Sequence, residues 1–193
     1  MRPTGRSLSP IGRQRAGEGS GAFDALVHDL DVALWLIGPV ENVHAGGSRG
    51  AGGTWDHVQV LLRHMDGCSS AIEASLLVPP GFPFTSSFRI VGERGTLSRR
   101  FVGGRSFRDV GEDTGLLFYT GEGPPAVLVP PARDEADPLR LQLAAFVRAV
   151  MSGRPPEDAP PEAARAALAL ALRIEGLLEA HATDKPIWDS KAP

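Results

Sequence analysis

The chain has 193 residues, 42% of them hydrophobic, with 23 glycines, 17 prolines and a net charge of −3. That length suffices to bury one substantial core, the slight acidity gives no reason to expect nucleic acid, and no stretch approaches the ~20 apolar residues that span a bilayer. The lone Cys68 leaves no partner for an internal disulfide and suits a reducing cytoplasm.

Residues 1–19 hold four Arg against one Glu and no apolar run, and read as a disordered basic tail rather than a transit peptide. Residues 20–193 read as one domain. Its first element is a helix within residues 20–38. At about 100° per residue, Leu26, Val27, Leu30, Leu34 and Ile37 fall on one arc and are expected to face a core. Asp24, His28 and Asp31 share roughly the opposite arc, with Trp35 one turn further on. An imidazole bracketed by carboxylates at i−4 and i+3 has the makings of a proton-transfer site near neutrality. The same pattern on a solvated helix face adds only about 0.3 kcal/mol of helix stability.

The glycine-rich run at 46–53 is expected to be a flexible loop. A phosphate cradle needs a helix directly after its glycines, and Thr54-Trp55-Asp56 leads instead into strand-like sequence. From there the period becomes two. Val58, Val60 and Leu62 share one face of residues 57–64, and Met65-Asp66-Gly67 supplies a tight hairpin turn. Cys68, Ser70, Ile72, Ala74 and Leu76 share one side of residues 68–77. After Pro79-Pro80-Gly81 and Pro83, residues 86–91 read as a strand with Phe88 and Ile90 on one face. Further short strands are expected at 96–102, 115–120 and 125–129. Strands joined by tight turns imply a mainly antiparallel sheet, which can leave one face uncovered.

Two helices close the chain. Asp137-Pro138 opens one carrying Leu139, Leu143, Phe146, Val147 and Val150, which ends at Ser152-Gly153. Pro160-Pro161-Glu162 opens the other, with Ala164, Ala167, Leu168, Ala171, Ile174 and Leu178 along one side. These apolar stripes read as helix packing. The histidines (His28, His44, His57, His64 and His181) form no His-Glu-x-x-His, and one cysteine cannot build a zinc cage, so no metal site is expected. His57 and His64 fall on opposite faces of one strand. Nucleophile-elbow and P-loop patterns are missing too.

The segment Gly21-Ala22-Phe23-x-x-x-x-His28-Asp29-x-Asp31-x-x-x-Trp35-Leu36-x-Gly38 resembles the start of the second domain of the Gfo/Idh/MocA oxidoreductases, the glucose-fructose oxidoreductase and inositol dehydrogenase family. The likeness continues through Asp66-Gly67, the turn Gly92-Glu93-Arg94-Gly95-Thr96-Leu97, the helix around Phe146 and the terminal helix leading to Lys185-Pro186-Ile187. It implies an α+β fold: a mainly antiparallel, open-faced sheet with helices packed on one face, as in the C-terminal domain of glyceraldehyde-3-phosphate dehydrogenase. It also implies roles for the first helix. Asp24 falls on the family's active-site Asp, His28 on its catalytic His and Asp31 on the following Asp. His28 and Asp24 are then the catalytic pair, and Asp24, His28 and Asp31 bind substrate, a sugar, inositol or related polyol.

The cofactor implied is NAD or NADP, yet the chain shows no Gly-x-Gly-x-x-Gly turn after a strand. The expectation is therefore the C-terminal substrate half of a dehydrogenase, with the dinucleotide-binding domain missing or supplied by a separate chain. The resemblance also implies homo-oligomers formed through the open sheet face. The competing expectation is a non-catalytic polyol-binding or oligomerisation module.

Overall fold

A computed structural model of the chain describes residues 8–9, 22–79, 82–103, 110–128, 138–156 and 159–181. Most of the stretch 1–19, the residues beyond His181, Val129 and Asp137 lie outside the described residues. The fold is α+β, with mainly antiparallel sheets and, among the described residues, three helices.

Helix α1 (Phe23–Ile37) stops at Gly38, whose φ of +105° suits a residue without a Cβ, and Pro39 follows. Strand β1 (Leu8–Ser9) pairs in parallel with β4 (Ser69–Ser75); β2 (Val40–Arg49) and β3 (Trp55–His64) complete that sheet in antiparallel fashion, in the order β1-β4-β3-β2. The β3–β4 hairpin turns where the Asp-Gly pair predicts. Gly67 takes φ +84°, the Gly67 N–H donates to the His64 carbonyl at 3.0 Å, and the Cys68 N–H donates to Asp66 Oδ1 at 2.9 Å. Period-two alternation holds as well: Val58, Val60, Leu62, Ile72 and Ala74 are buried on one face, while Gln59, Leu61 and Ala71 are exposed on the other.

A second sheet contains β5 (Thr85–Gly92), β6 (Gly95–Gly103), β8 (Leu116–Tyr119) and β9 (Ala126–Leu128), with β7 (Val110–Asp113) also paired to β6. Its β5–β6 turn closes on Glu93 and Arg94, with Gly92 opposite Gly95. Gly95 has φ +144°, and a Cβ there would lie 2.4 Å from the Tyr119 carbonyl.

Helices α1 and α3 (Pro161–His181) pack on each other and on the first sheet. The core joins Phe23, Leu26 and Leu30 of α1, the inner residues of β3 and β4, and Leu170, Ala171, Ile174 and Leu178 of α3. Each large side chain so buried stabilises the fold by about 1.5–3 kcal/mol relative to exposure.

Three expectations need correction. Residues 46–49 are not a flexible loop: they belong to β2, paired with β3 from Gly46↔Gln59 to Arg49↔Trp55, and only the turn at 50–53 lies beyond. Glycine has poor strand propensity, but Gly47 is needed here. A Cβ on it would sit 2.5 Å from the His57 carbonyl oxygen and 3.2 Å from Trp55 Cε3. In α3 the buried positions are 167, 170, 171, 174 and 178. Leu168 is 54% exposed and Ala164 is exposed, so the packed stripe is rotated from the expected one. In α2 (Pro138–Ser152) Leu139, Leu143, Phe146, Val147 and Val150 are all more than half exposed; among the described residues their stripe is not packed. The short strands β1 and β7 also went unpredicted. Two and four residues carry too little pattern to read.

Candidate active site

Helix α1 sorts its residues as its sequence period requires. Phe23, Ala25, Leu26, Leu30 and Ala33 turn into the core, Val27, Leu34 and Ile37 are half-buried at its edge, and Asp24, His28 and Asp31 are exposed on the outer face. With 3.6 residues per turn, the three functional candidates form one ridge along two turns of helix. Asp24 lies in the first turn, where a carboxylate complements the partial positive charge of the helix N-terminus.

Both ends of α1 are tied to the sheet, which fixes where that ridge points. At the N-terminal end the Ala22 N–H donates to the carbonyl of Trp55 at 2.8 Å. Trp55 is itself held: its indole N–H donates to Glu179 Oε1 at 2.8 Å, and the Arg49 guanidinium, also paired with Glu179, lies 4.5 Å over the ring. At the C-terminal end the fully buried His64 bridges helix and hairpin. Its Nδ1–H donates to the Gly38 carbonyl at 2.8 Å, since a carbonyl only accepts, and its Nε2 accepts from the Ser70 hydroxyl at 2.9 Å. The Met65 N–H adds a bond to the Pro39 carbonyl at 3.0 Å. Trp55 and His64 carry no sequence signal for this role, because each acts through partners distant in the chain. His64 points inward and His57 outward, as their spacing predicts.

Among the described residues, the glycine-rich turn does not fit the phosphates of a dinucleotide. Past β2 the glycine run forms a closed turn in which Gly50 N–H donates to the Thr54 carbonyl at 2.9 Å and Gly53 N–H to the Gly50 carbonyl at 3.0 Å. The Asp56 carboxylate fills the space a Cβ on Gly50 would occupy, with Oδ2 1.6 Å from that position. Two of the turn's amides are already donated, and the carboxylate over it repels phosphate rather than helping to cradle it. A depression of about 350 Å³ lined by His44, Gln59, Leu61, Ala71 and Glu73 among others lies on the outer sheet face, across the sheet from α1. No helix among the described residues is long and apolar enough to cross a membrane.

Residues 4–98, about half of the chain and including the whole ridge, match the GFO/IDH/MocA C-terminal domain. No curated protein matches by sequence. Solved structures share the fold. UDP-N-acetylglucosamine 3-dehydrogenase from Acidithiobacillus ferrooxidans superposes with a TM-score of 0.67 at 21% identity, covering 93% of this chain and 53% of its own. Aldose-aldose oxidoreductase from Caulobacter crescentus, complexed with glycerol, gives 0.72 at 17%, covering 92% and 53%. The WlbA dehydrogenase from Bordetella pertussis, in complex with NADH and UDP-GlcNAcA, gives 0.65 at 22%, again covering 92% and 53%. The chain thus spans about half the length of the structures it matches. Through this C-terminal domain the chain belongs to the Gfo/Idh/MocA family of oxidoreductases.

Proposed function

We propose that this chain supplies the substrate half of an NAD(P)-dependent oxidoreductase acting on a hydroxyl of a sugar, inositol or related polyol. One observation carries the reading: Asp24, His28 and Asp31 stand together on the exposed face of a helix anchored at both ends. An unassisted alkoxide is too basic to form at neutral pH, so oxidising a hydroxyl requires a positioned base. A ring nitrogen of His28 takes the hydroxyl proton and returns it in the reverse direction. Asp24, one turn before, and Asp31, one turn after, accept hydrogen bonds from neighbouring substrate hydroxyls and hold the sugar against the imidazole. This chain's residues supply proton transfer and hydroxyl recognition; holding the nicotinamide falls to another body.

Two wider features belong to the same reading. The outer face of the first sheet, with Gln59, Leu61 and Ala71 exposed, is where copies of the chain associate. The compartment is the cytoplasm, where a lone, buried Cys68 stays reduced.

The test combines the chain with a separately produced dinucleotide-binding domain of a family dehydrogenase and follows NAD(P)H formation over a panel of sugars and polyols. His28→Ala is expected to lower turnover at least ~100-fold, the scale of losing a general base. Asp24→Asn is expected to raise KM for the polyol as well as lower kcat. Undiminished activity in His28→Ala removes the histidine from the mechanism.

A further inference from the structure

Asp24, His28, Asp31 and Trp35 stand at i, i+4, i+7 and i+11 of α1, a spacing that keeps residues in one line along a helix. At 1.5 Å per residue, Trp35 lies about 6 Å beyond Asp31 and about 10 Å beyond His28. Helical side chains all lean toward the N-terminus, so these separations carry over from backbone to side chains. The Trp35 side chain is 78% exposed, whereas Trp55 is 8% exposed and has its N–H bonded to Glu179. Asp24, Asp29 and Asp31 are the only acidic residues of α1, and the helix holds no Lys or Arg. The ridge therefore ends in a flat apolar surface and carries negative charge without a cation beside it.

We infer that Trp35 is a stacking platform for the second ring of an uncharged disaccharide, whose first ring lies over Asp24, His28 and Asp31. The inference rests on the reading of that ridge as a site for sugar hydroxyls. A sugar ring is polar at its edge and apolar on its faces. The edge hydroxyls suit carboxylates and an imidazole, and the slightly positive C–H bonds of a face suit the electron-rich face of an indole. Spacing selects two rings. A ring seated at His28 does not extend to an indole about 10 Å further along the helix, and a glycosidically linked neighbour does. Charge selects an uncharged ligand. A nucleoside diphosphate sugar would lay its phosphates between its rings, beside Asp31 on a helix with no Lys or Arg to meet them. Trp35 is also in the last turn of α1, where the partial negative charge of the helix C-terminus disfavours an anion.

The experiment titrates the full 193-residue chain with cellobiose and maltose, with glucose as the one-ring control and UDP-glucose as the charged control. Calorimetry and tryptophan emission are the readouts. The unaltered chain is expected to bind at least one disaccharide about 5-fold or more tightly than glucose, the scale of one aromatic contact, and UDP-glucose no more tightly than glucose. Trp35→Ala removes that preference and leaves glucose binding unchanged, while Trp35→Phe keeps part of it. Asp31→Asn weakens glucose and the disaccharide in the same proportion. Both positions are exposed, so unchanged far-UV circular dichroism certifies the fold of each variant. Equal affinity for one-ring and two-ring sugars, a preference that survives Trp35→Ala, or no sugar binding up to ~100 mM overturns the inference. Tighter binding of UDP-glucose that depends on Trp35 assigns the indole to a nucleobase and overturns it equally, as does a dimer of the chain that Trp35→Ala dissolves. Oxidation is read separately in the recombined assay. A disaccharide held through Trp35 but not oxidised upholds the platform and removes the oxidoreductase reading. Oxidation of disaccharides at a KM indifferent to Trp35→Ala keeps that reading and removes the platform.

Discussion

Individual side chains divide here between those on the exposed ridge of α1, which we propose meet substrate, and those that hold that helix still. His64 belongs to the second kind. Replacing it with Phe keeps the volume but leaves the Gly38 carbonyl and the Ser70 hydroxyl without their present partner, at about 1–3 kcal/mol for each buried group left unpaired. The expected outcome is a lower urea midpoint with little change in m-value; an unchanged midpoint dismisses the clamp. Asp66 gives a pH dependence. The Cys68 backbone N–H, then a further hydrogen bond to Cys68, hold its carboxyl below the ordinary carboxylate range. A group depressed in the folded state stabilises at pH above its unfolded pKa, and that contribution is lost as pH falls through the folded value. Stability is therefore expected to decline below about pH 4. Asp66→Ala should flatten part of that decline in acid titrations followed by circular dichroism.

At the scale of elements, α1 was legible because one period separates two jobs. Leucines on one arc and Asp24, His28 and Asp31 on the other are both visible in the spacing, and burial follows it. Leu30 is fully buried, and Leu30→Ala is expected to cost about 2–5 kcal/mol, read by urea denaturation. Strand β2 was illegible for the opposite reason. Gly46, Gly47 and Ser48 have weak strand preference, and only pairing with β3 and the close approach of Trp55 and the His57 backbone make an extended chain with a bare Cα the favoured arrangement. Gly47→Ala is expected to destabilise by about 1–3 kcal/mol through overpacking. Faster amide exchange along 44–48 would locate the damage. Helix α2 was found at its predicted bounds, yet its apolar stripe stayed exposed, because periodicity says which face is apolar but not what covers it.

For the whole molecule, the reading we propose is a half-site. The described residues hold the Asp24, His28 and Asp31 ridge and its scaffold, while the surface beside them is apolar and a carboxylate lies over the glycine turn. A titration of the chain alone with NADH or NADPH, followed by nicotinamide fluorescence, is expected to show no binding up to ~1 mM, a binding free energy weaker than about −4 kcal/mol. Micromolar binding would mean that the chain builds a dinucleotide site of its own.

The sequence by itself determined the family likeness, the α+β class, the hairpin at Asp66-Gly67 and the grouping of Asp24, His28 and Asp31. Each of these depends on residues close in the chain, where helical period, strand alternation and turn chemistry act directly. The tertiary structure alone decided the course of β2, the true packed face of α3, the clamps at Trp55 and His64, and the exposure of Trp35 and of the α2 stripe. Those depend on which distant segment arrives against a given surface. Such a contact is an energy shared between two parts of the chain, and neither part records it alone.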